Sequence, residues 1–180
     1  LWPILLLAAA LVLAIIPLVS YFVTHIPHHL LVGNVAAAAT EKKKEGFIEG
    51  FISGLTLLDG NASGGGAIRN VDASLGLTSV TFTSNNSTDD GGAVANDDFD
   101  VTMIDCLFTG NTAANDGGAF YSDSGRITIQ GCTFSGNSTT GGDGGAILLS
   151  FGATATITES TFVGNSATGD DGGAIYADRS

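Results

Sequence analysis

The stretch VTMIDCLFTGNTAANDGGAF, Val101 to Phe120, is followed 26 residues on by ITIQGCTFSGNSTTGGDGGAI, Ile127 to Ile147, and the two are copies of one pattern. Each copy carries Phe-x-x-Asn and then, across a break rich in Gly, Asn, Asp and Ser, Gly-Gly-Ala plus an apolar residue. Working outward, Phe-x-x-Asn stands at Phe82/Asn85, Phe108/Asn111, Phe134/Asn137 and Phe162/Asn165, at steps of 26, 26 and 28 residues. Gly-Gly-Ala begins at Gly65, Gly91, Gly117, Gly144 and Gly172, at steps of 26, 26, 27 and 28. Self-similarity at such a period marks a solenoid whose repeats each form one supersecondary unit.

Before each Phe one set of apolar residues recurs at alternate positions, as Val101, Met103, Cys106 and Phe108 do among Thr102, Asp105 and Leu107. That is the period of a strand, with one slip between the two pairs. The slip, the break after each Asn and the short Gly-Gly-Ala-apolar run divide a unit into about three short strands, leaving no room for helices. One unit cannot bury its apolar face alone, so neighbours must stack with equivalent positions one above another, ~4.8 Å apart as in any parallel ladder. The fold expected over residues 47–180 is an all-β, right-handed parallel β-helix of about five coils, preceded by an N-terminal apolar helix.

In that stack the four Phe residues form an inward aromatic column, with Leu77, Met103, Ile129 and Ile157 as an aliphatic column beside it. Each Asn falls where the chain turns, since Asn tolerates a left-handed backbone and its amide can bond neighbouring main chain. Glycines allow the sharp bend and close backbone approach before the next strand, and the preceding Asp90, Asp116, Asp143 or Asp171 is expected to cap their amides as an Asx-type turn. The first unit fits loosely, with Leu58-Asp59-Gly60-Asn61 in the Phe-x-x-Asn frame. Upstream, Phe47, Ile48, Phe51 and Ile52 form an edge strand or a short amphipathic turn of helix, expected to cap the open end of the stack.

Residues 1–40 contain no Asp, Glu, Lys or Arg, and residues 4–23 form an apolar run about long enough to cross a bilayer. Residues 1–23 therefore read as a transmembrane anchor or a secretory signal, and 24–46 as a linker. Either reading puts the repeats at a cell surface, in an outer membrane or outside the cell. With Leu1 in place of an initiator Met the true start is expected upstream, and since Gly172 to Tyr176 opens a further unit the solenoid is expected to continue past Ser180.

From residue 46 onward sixteen carboxylates face three arginines, which disfavours nucleic acid as a partner. Lys42, Lys43 and Lys44, the one basic run, sit in a Glu-flanked spacer, with lipid headgroup contact as the alternative. His25, His28 and His29 have a metal-like spacing but no accompanying Cys or carboxylate, which favours plain linker or interfacial histidines. No cofactor is expected. Calcium is the ion to consider, at Asp89/Asp90, Asp97/Asp98/Asp100 and Asp170/Asp171, where stacked turns gather carboxylates, although the same spacing suits turn capping. Cys106 and Cys132 occupy one slot in adjacent coils, where a buried apolar pair is favoured over a disulfide. Asp105 and Glu159, at equivalent outward positions, with Arg126 near in sequence, are the thin basis for acid–base chemistry on a polysaccharide. Among the Asn-x-Ser/Thr sequons, Asn61, Asn85 and Asn137 are placed inward and only Asn86 is left free for a glycan.

Taken together, repeated Gly-Gly-Ala-Ile and Phe-x-x-Asn resemble the polymorphic outer-membrane protein repeats of the chlamydial autotransporter adhesins, over residues 51–176. The resemblance implies a β-helical passenger on a cell surface that attaches to a host or neighbouring cell-surface protein or glycan. It implies an adhesive motif at Gly91, Gly92, Ala93 and Val94, at Gly117, Gly118, Ala119 and Phe120, and at Gly144, Gly145, Ala146 and Ile147. Phe108, Asn111, Phe134 and Asn137 complete that set. Side chains that fill an interior cannot touch a partner, however, so the outward Thr102, Thr128, Thr133, Thr156 and Thr158 are the better contact residues. The expected role is non-catalytic surface binding, with a polysaccharide lyase or hydrolase, or a structural spacer, as alternatives.

Overall fold

A computed structural model of the 180-residue chain describes residues 49–71 and 73–178. The apolar segment, the linker, the three histidines and the lysine run fall outside the described residues. The first coil holds β1 (Glu49–Ser53), β2 (Thr56–Leu58), β3 (Asn61–Ala62) and β4 (Ile68–Asn70). The second holds β5 (Ser74–Thr78), β6 (Thr81–Thr83), β7 (Asn86–Ser87) and β8 (Val94–Asn96). Then come β9 (Val101–Ile104), β10 (Leu107–Thr109), β11 (Thr112–Ala113) and β12 (Phe120–Ser122), followed by β13 (Arg126–Gln130), β14 (Thr133–Ser135), β15 (Ser138–Thr139) and β16 (Ile147–Leu149). The fifth coil holds β17 (Thr154–Thr158), β18 (Thr161–Val163), β19 (Ser166–Ala167) and β20 (Ile175–Ala177).

Equivalent strands of successive coils pair in parallel into four five-stranded sheets, β1-β5-β9-β13-β17, β2-β6-β10-β14-β18, β3-β7-β11-β15-β19 and β4-β8-β12-β16-β20. The architecture is a parallel β-helix of five coils, as the repeats require. It has four faces rather than three. The additional face is the two-residue strand behind each Asn, such as β11, paired to β7 and β15, and a strand that short leaves no alternation to read. Glu49–Ser53 is neither a helical turn nor a lid over the end: it is the first rung of the first sheet, with Ile52 beside Leu77.

Inside, Leu57, Phe82, Phe108, Phe134 and Phe162 stand in one column. Ring centroids of successive phenylalanines are 4.6, 4.6 and 4.9 Å apart with interplanar angles of 7°, 2° and 2°. That rise is the spacing of hydrogen-bonded strands, so one repeat distance satisfies the backbone ladder and the rings together. Ile52, Leu77, Met103, Ile129 and Ile157 form the aliphatic column. Phe82, Phe108, Phe134, Met103 and Ile129 are all fully buried, and burial of side chains this size contributes roughly 1.5–3 kcal/mol each.

Beside the rings runs a column of amides. Asn85 Nδ2 donates to Asn111 Oδ1, Asn111 Nδ2 to Asn137 Oδ1 and Asn137 Nδ2 to Asn165 Oδ1, each at 2.9 Å. The same oxygens accept the backbone N–H groups of Asn85, Asn111 and Asn137 at 2.9–3.0 Å, and each Nδ2 also reaches a carbonyl two coils back from the acceptor, Leu57, Phe82 or Phe108, at 3.0–3.1 Å. In the first coil the register differs by one residue from the sequence reading. Leu57 and Gly60, not Leu58 and Asn61, occupy the Phe and Asn slots: Leu57 pairs with Phe82, and Gly60 N–H donates to Asn85 Oδ1 at 2.9 Å. Asn61 therefore aligns with Asn86, whose Nδ2 donates to Asn61 Oδ1 at 3.2 Å, and is exposed, outside the inward amide column.

The glycine pair does two separate jobs. The first glycine of each pair has φ between +62° and +70° (Gly65, Gly91, Gly117, Gly144, Gly172), and a Cβ there would collide with the backbone of the apolar residue three positions on. The second needs no left-handed φ, but a Cβ on Gly92, Gly118 or Gly145 would strike the next coil's second glycine carbonyl. Their amides do not take an Asx cap from the preceding aspartate, contrary to the expectation. Gly91 and Gly92 N–H donate to the carbonyls of Asp116 and Gly117, at 2.9 and 3.0 Å, while the Asp90 carboxylate accepts the Asp116 N–H at 3.1 Å. Stacking in register gives the glycine amides of the first four coils a partner one coil along, so a local cap is superfluous there.

Three substitutions test this account by urea unfolding. Gly110 has φ +62° with nothing within 4 Å of an added Cβ, so Gly110→Ala should cost about 1–2 kcal/mol. Gly118→Ala should cost clearly more although its backbone is ordinary. Asn111→Ala should cost about 3 kcal/mol, since it leaves several buried donors and acceptors of the column unpaired.

Candidate binding surface

The residues of the family motif lie inside. Ala93, Val94, Ala119, Phe120, Ala146, Ile147, Phe108, Asn111, Phe134 and Asn137 are all at 0% exposure, and Gly91, Gly92, Gly117, Gly118, Gly144 and Gly145 are buried as well. They shape the coils, and in the folded chain their side chains meet only other coils.

What the coils present outward on the first and second sheets is mainly hydroxyl. On the first sheet Gly76, Thr102, Thr128 and Thr156 stack in one outward column, flanked on one side by Ser74, Arg126 and Thr154 and on the other by Thr78, Ile104, Gln130 and Thr158. On the second, Thr56, Thr81, Leu107, Thr133 and Thr161 form one column and Leu58, Thr83, Thr109, Ser135 and Val163 the next. Strand alternation puts the Phe and Ile between them into the core. The threonine columns of both sheets hold no acidic side chain, but at the edge of the first sheet exposed Asp100 leads into β9 in line with Ser74 and Arg126. At its first-coil end the first sheet carries a shallow depression of about 390 Å³ lined by Phe51, Gly76, Thr78, Asp100, Thr102 and Ile104 among others. Phe51 is 68% exposed, and its ring reaches over Gly76, where a Cβ would lie 3.0 Å from the ring. Sequence reasoning did not find this depression, because it depends on Phe51 pairing beside the one glycine in that outward column.

The carboxylates are distributed along corners. Asp89 accepts from Asn115 Nδ2 at 2.7 Å, Asp98 from Ser124 Oγ at 3.3 Å, Asp100 from the Arg126 N–H at 2.8 Å and Asp116 from the Asp143 N–H at 2.8 Å. Arg69 and Asp97 form a salt bridge at 3.1 Å. Among the described residues no group of three or more His, Cys, Asp or Glu side chains is arranged to hold a metal ion. Asp105 and Glu159 do share a turn slot, both with φ 52°. Arg126, however, begins the strand just past whose far end that turn lies, so about 16 Å of extended chain separates it from them. The three are not gathered at one point.

Cys106 and Cys132 are free and buried. They follow Val80 and precede Ser160 in one turn column: the Cys106 N–H donates to Cys132 Sγ at 3.3 Å and the Cys132 N–H to Ser160 Oγ at 3.1 Å. The hydrogen bond with Cys132, and burial after it, push the Cys106 thiol well above its ordinary range. It stays protonated and acts as a packing group.

A second internal ladder escaped the sequence reading. Asn70 Nδ2 donates to Asn96 Oδ1 at 2.6 Å and Asn96 Nδ2 to Ser122 Oγ at 2.9 Å, supporting the corner after the fourth sheet. The signal was present as Asn two residues after Gly-Gly-Ala-Ile and Gly-Gly-Ala-Val, but it fades to Ser122 and then Leu149.

Residues 49–180 match the family model described as right-handed beta helix region. The chain belongs to the right-handed β-helix family. That match concerns the coil architecture of this β-helix and contains nothing specific to the polymorphic outer-membrane repeats. No curated protein and no solved structure gives a significant match.

Two measurements follow from the site's electrostatics. Burial first, and then the charges of Asp89, Asp116 and Asp123, raise the Asp90 carboxyl above its ordinary 3.8, against a lowering by the Asp116 N–H. A raised carboxyl binds its proton more tightly folded than unfolded, so stability falls as pH rises through and above 3.8. Asp90→Asn, which keeps the acceptor oxygen, should raise the Tm at pH 7 by about 1–2 °C and leave it unchanged near pH 3. Iodoacetamide should leave both cysteines unmodified in the native chain and alkylate both in urea.

Proposed function

We propose that this β-helix is a non-catalytic binding protein of a cell surface or the extracellular space, one that lays its hydroxyl-bearing flank on a surface protein or glycan. The observation that carries the reading is the pair of outward columns Thr102, Thr128 and Thr156 on the first sheet and Thr81, Thr133 and Thr161 on the second, where threonine recurs at strand spacing and no acidic side chain interrupts the column. Hydroxyls that both donate and accept suit sugar rings and peptide groups alike. The depression beside Phe51 supplies an exposed aromatic face next to hydroxyls, a combination that places apolar and polar contacts side by side. The resemblance of the two motifs to the polymorphic outer-membrane repeats supports attachment to a host or neighbouring cell. On this reading those motifs act indirectly, by holding the flank flat. Residues 4–23 would serve as anchor or export signal.

An enzyme on the same scaffold draws no support from Asp105, Glu159 and Arg126, which do not converge. A spacer role makes a different prediction, since it requires no particular outward residues.

Binding of the labelled chain to intact cells and to a glycan array, compared with a chain of scrambled repeats, tests the proposal. Thr102→Glu with Thr156→Glu, both exposed and outside the core, should preserve the β-sheet circular dichroism and lower retention at least several-fold. Retention equal to the scrambled control would refute adhesion. Retention unchanged by the Glu pair would move binding off this flank.

A further inference from the structure

The outer face of the fourth sheet differs from the hydroxyl-bearing flank. Its outward column reads Arg69, Ala95, Tyr121, Leu148 and Tyr176. Outward side chains of a sheet normally meet solvent, yet Ala95 is 3% and Leu148 4% exposed. The Gly-Gly bend accounts for this. A Cβ on Gly117 would come within 3.1 Å of the Tyr121 Cα, and one on Gly172 within 2.8 Å of the Tyr176 Cβ, so each bend folds back over the strand it leads into. The bends thereby wall one side of a shallow trench in which Ala95 and Leu148 are covered and Arg69, Tyr121 and Tyr176 are the side chains of the column that reach the surface.

Both walls of the trench are acidic. One is the column Asp90, Asp116, Asp143 and Asp171, in which each carboxylate accepts the backbone N–H of the next aspartate. On the other side Asp97, Asp123 and Asp178 lead out of the same strands, and Tyr121 Oη donates to Asp123 Oδ1 at 3.2 Å. Both tyrosines feel the two walls together. Burial first, and then Asp123, Asp90 and Asp116, push the Tyr121 hydroxyl upward. Tyr176 is raised by Asp143 first, with Asp178, Asp171 and Asp170 contributing. Carboxylates repeated at ~4.8 Å repel along the column from Asp90 to Asp171, and among the described residues the cation of this face is Arg69, already paired with Asp97.

We propose that this trench is a second binding surface, for an extended Lys- or Arg-rich peptide segment running along the helix axis over Tyr121 and Tyr176. The geometry fits. From Asp90 to Asp171 is three rungs, or about 14 Å, which an extended segment of four to five residues covers. Its cationic heads meet the carboxylate walls, and its methylene stems and charges lie on tyrosine faces, whose negative π-clouds attract them. Charge complementarity selects this occupant, because a sugar chain or an acidic peptide offers nothing to relieve the repulsion along the walls. The surface is separate from the flank assigned to adhesion, and either stands without the other.

A lysine pentapeptide titrated into the full chain by calorimetry at low salt is the test. Binding should appear and weaken steeply as salt rises past about 0.1 M, where the screening length falls to ~10 Å. Asp116→Asn with Asp143→Asn keeps the wall's acceptor oxygens and should weaken binding about tenfold. Tyr121→Leu, which keeps the floor apolar, should weaken it about two- to fivefold, the loss of one cation–π contact. Asp105→Asn with Glu159→Gln removes the same number of charges from a different corner and should change nothing. The proposal is overturned if the pentapeptide does not bind, or if the distant pair weakens it as much as the wall pair, since net charge alone would then explain the affinity.

Discussion

The whole molecule depends on one distance. Hydrogen-bonded strands of successive coils lie ~4.8 Å apart, and at that rise a phenylalanine ring, an asparagine amide and a glycine carbonyl can each repeat directly above their like. The rings stack at 4.6–4.9 Å because the backbone sets the spacing, not because the rings seek that exact partner. The amide column answers a harder requirement, since the turn after each Phe strand buries backbone donors that no local group reaches. Asn supplies an acceptor for the neighbouring coil's N–H and a donor for a carbonyl further along, so Asn111 and Asn137 are fully buried with their polar atoms satisfied.

The same rise governs what happens where like meets like unfavourably. Two thiols stacked in one slot are buried and free, and the hydrogen bond between them pushes Cys106 up and Cys132 down. Aspartates stacked in one slot repel, and part of that cost is offset by the N–H each accepts from the next coil. A stack thus amplifies whatever its repeat carries: a column of phenylalanine becomes a core, a column of threonine a hydroxyl lattice, a column of aspartate a line of charge. The binding surfaces of this β-helix are the outward columns, and the repeats that announce the fold are the inward ones.

Much of this was legible from residue spacing. Phe82, Phe108, Phe134 and Phe162 recur at one period and could share a column only in a solenoid, and the aliphatic column of Leu77, Met103, Ile129 and Ile157 followed from the same alternation. Legibility ended where the elements shorten or the repeat decays. The two-residue strands carry no periodicity, which hid the fourth face. Leu58-Asp59-Gly60-Asn61 contains an Asn that mimics the motif, and only pairing with the second coil shows that Gly60 holds the amide slot and Asn61 faces solvent. Asn70, Asn96 and Ser122 form a ladder whose third member is no longer Asn.

The sequence by itself determined that equivalent residues pile up, because units too small to bury their own apolar faces must use their neighbours. It determined also which side chains fill the interior, since strand alternation divides Phe and Ile from Thr at every step. Only the tertiary structure decided what the outside looks like. That Phe51 leans over Gly76, that the glycine bends fold back over Tyr121 and Leu148, and that Asp116 and Asp123 face one another across a strand depend on how the chain turns its four corners. Corner geometry comes from left-handed glycines and inter-coil hydrogen bonds, which connect residues about 26 positions apart and leave no local trace in the order of the amino acids.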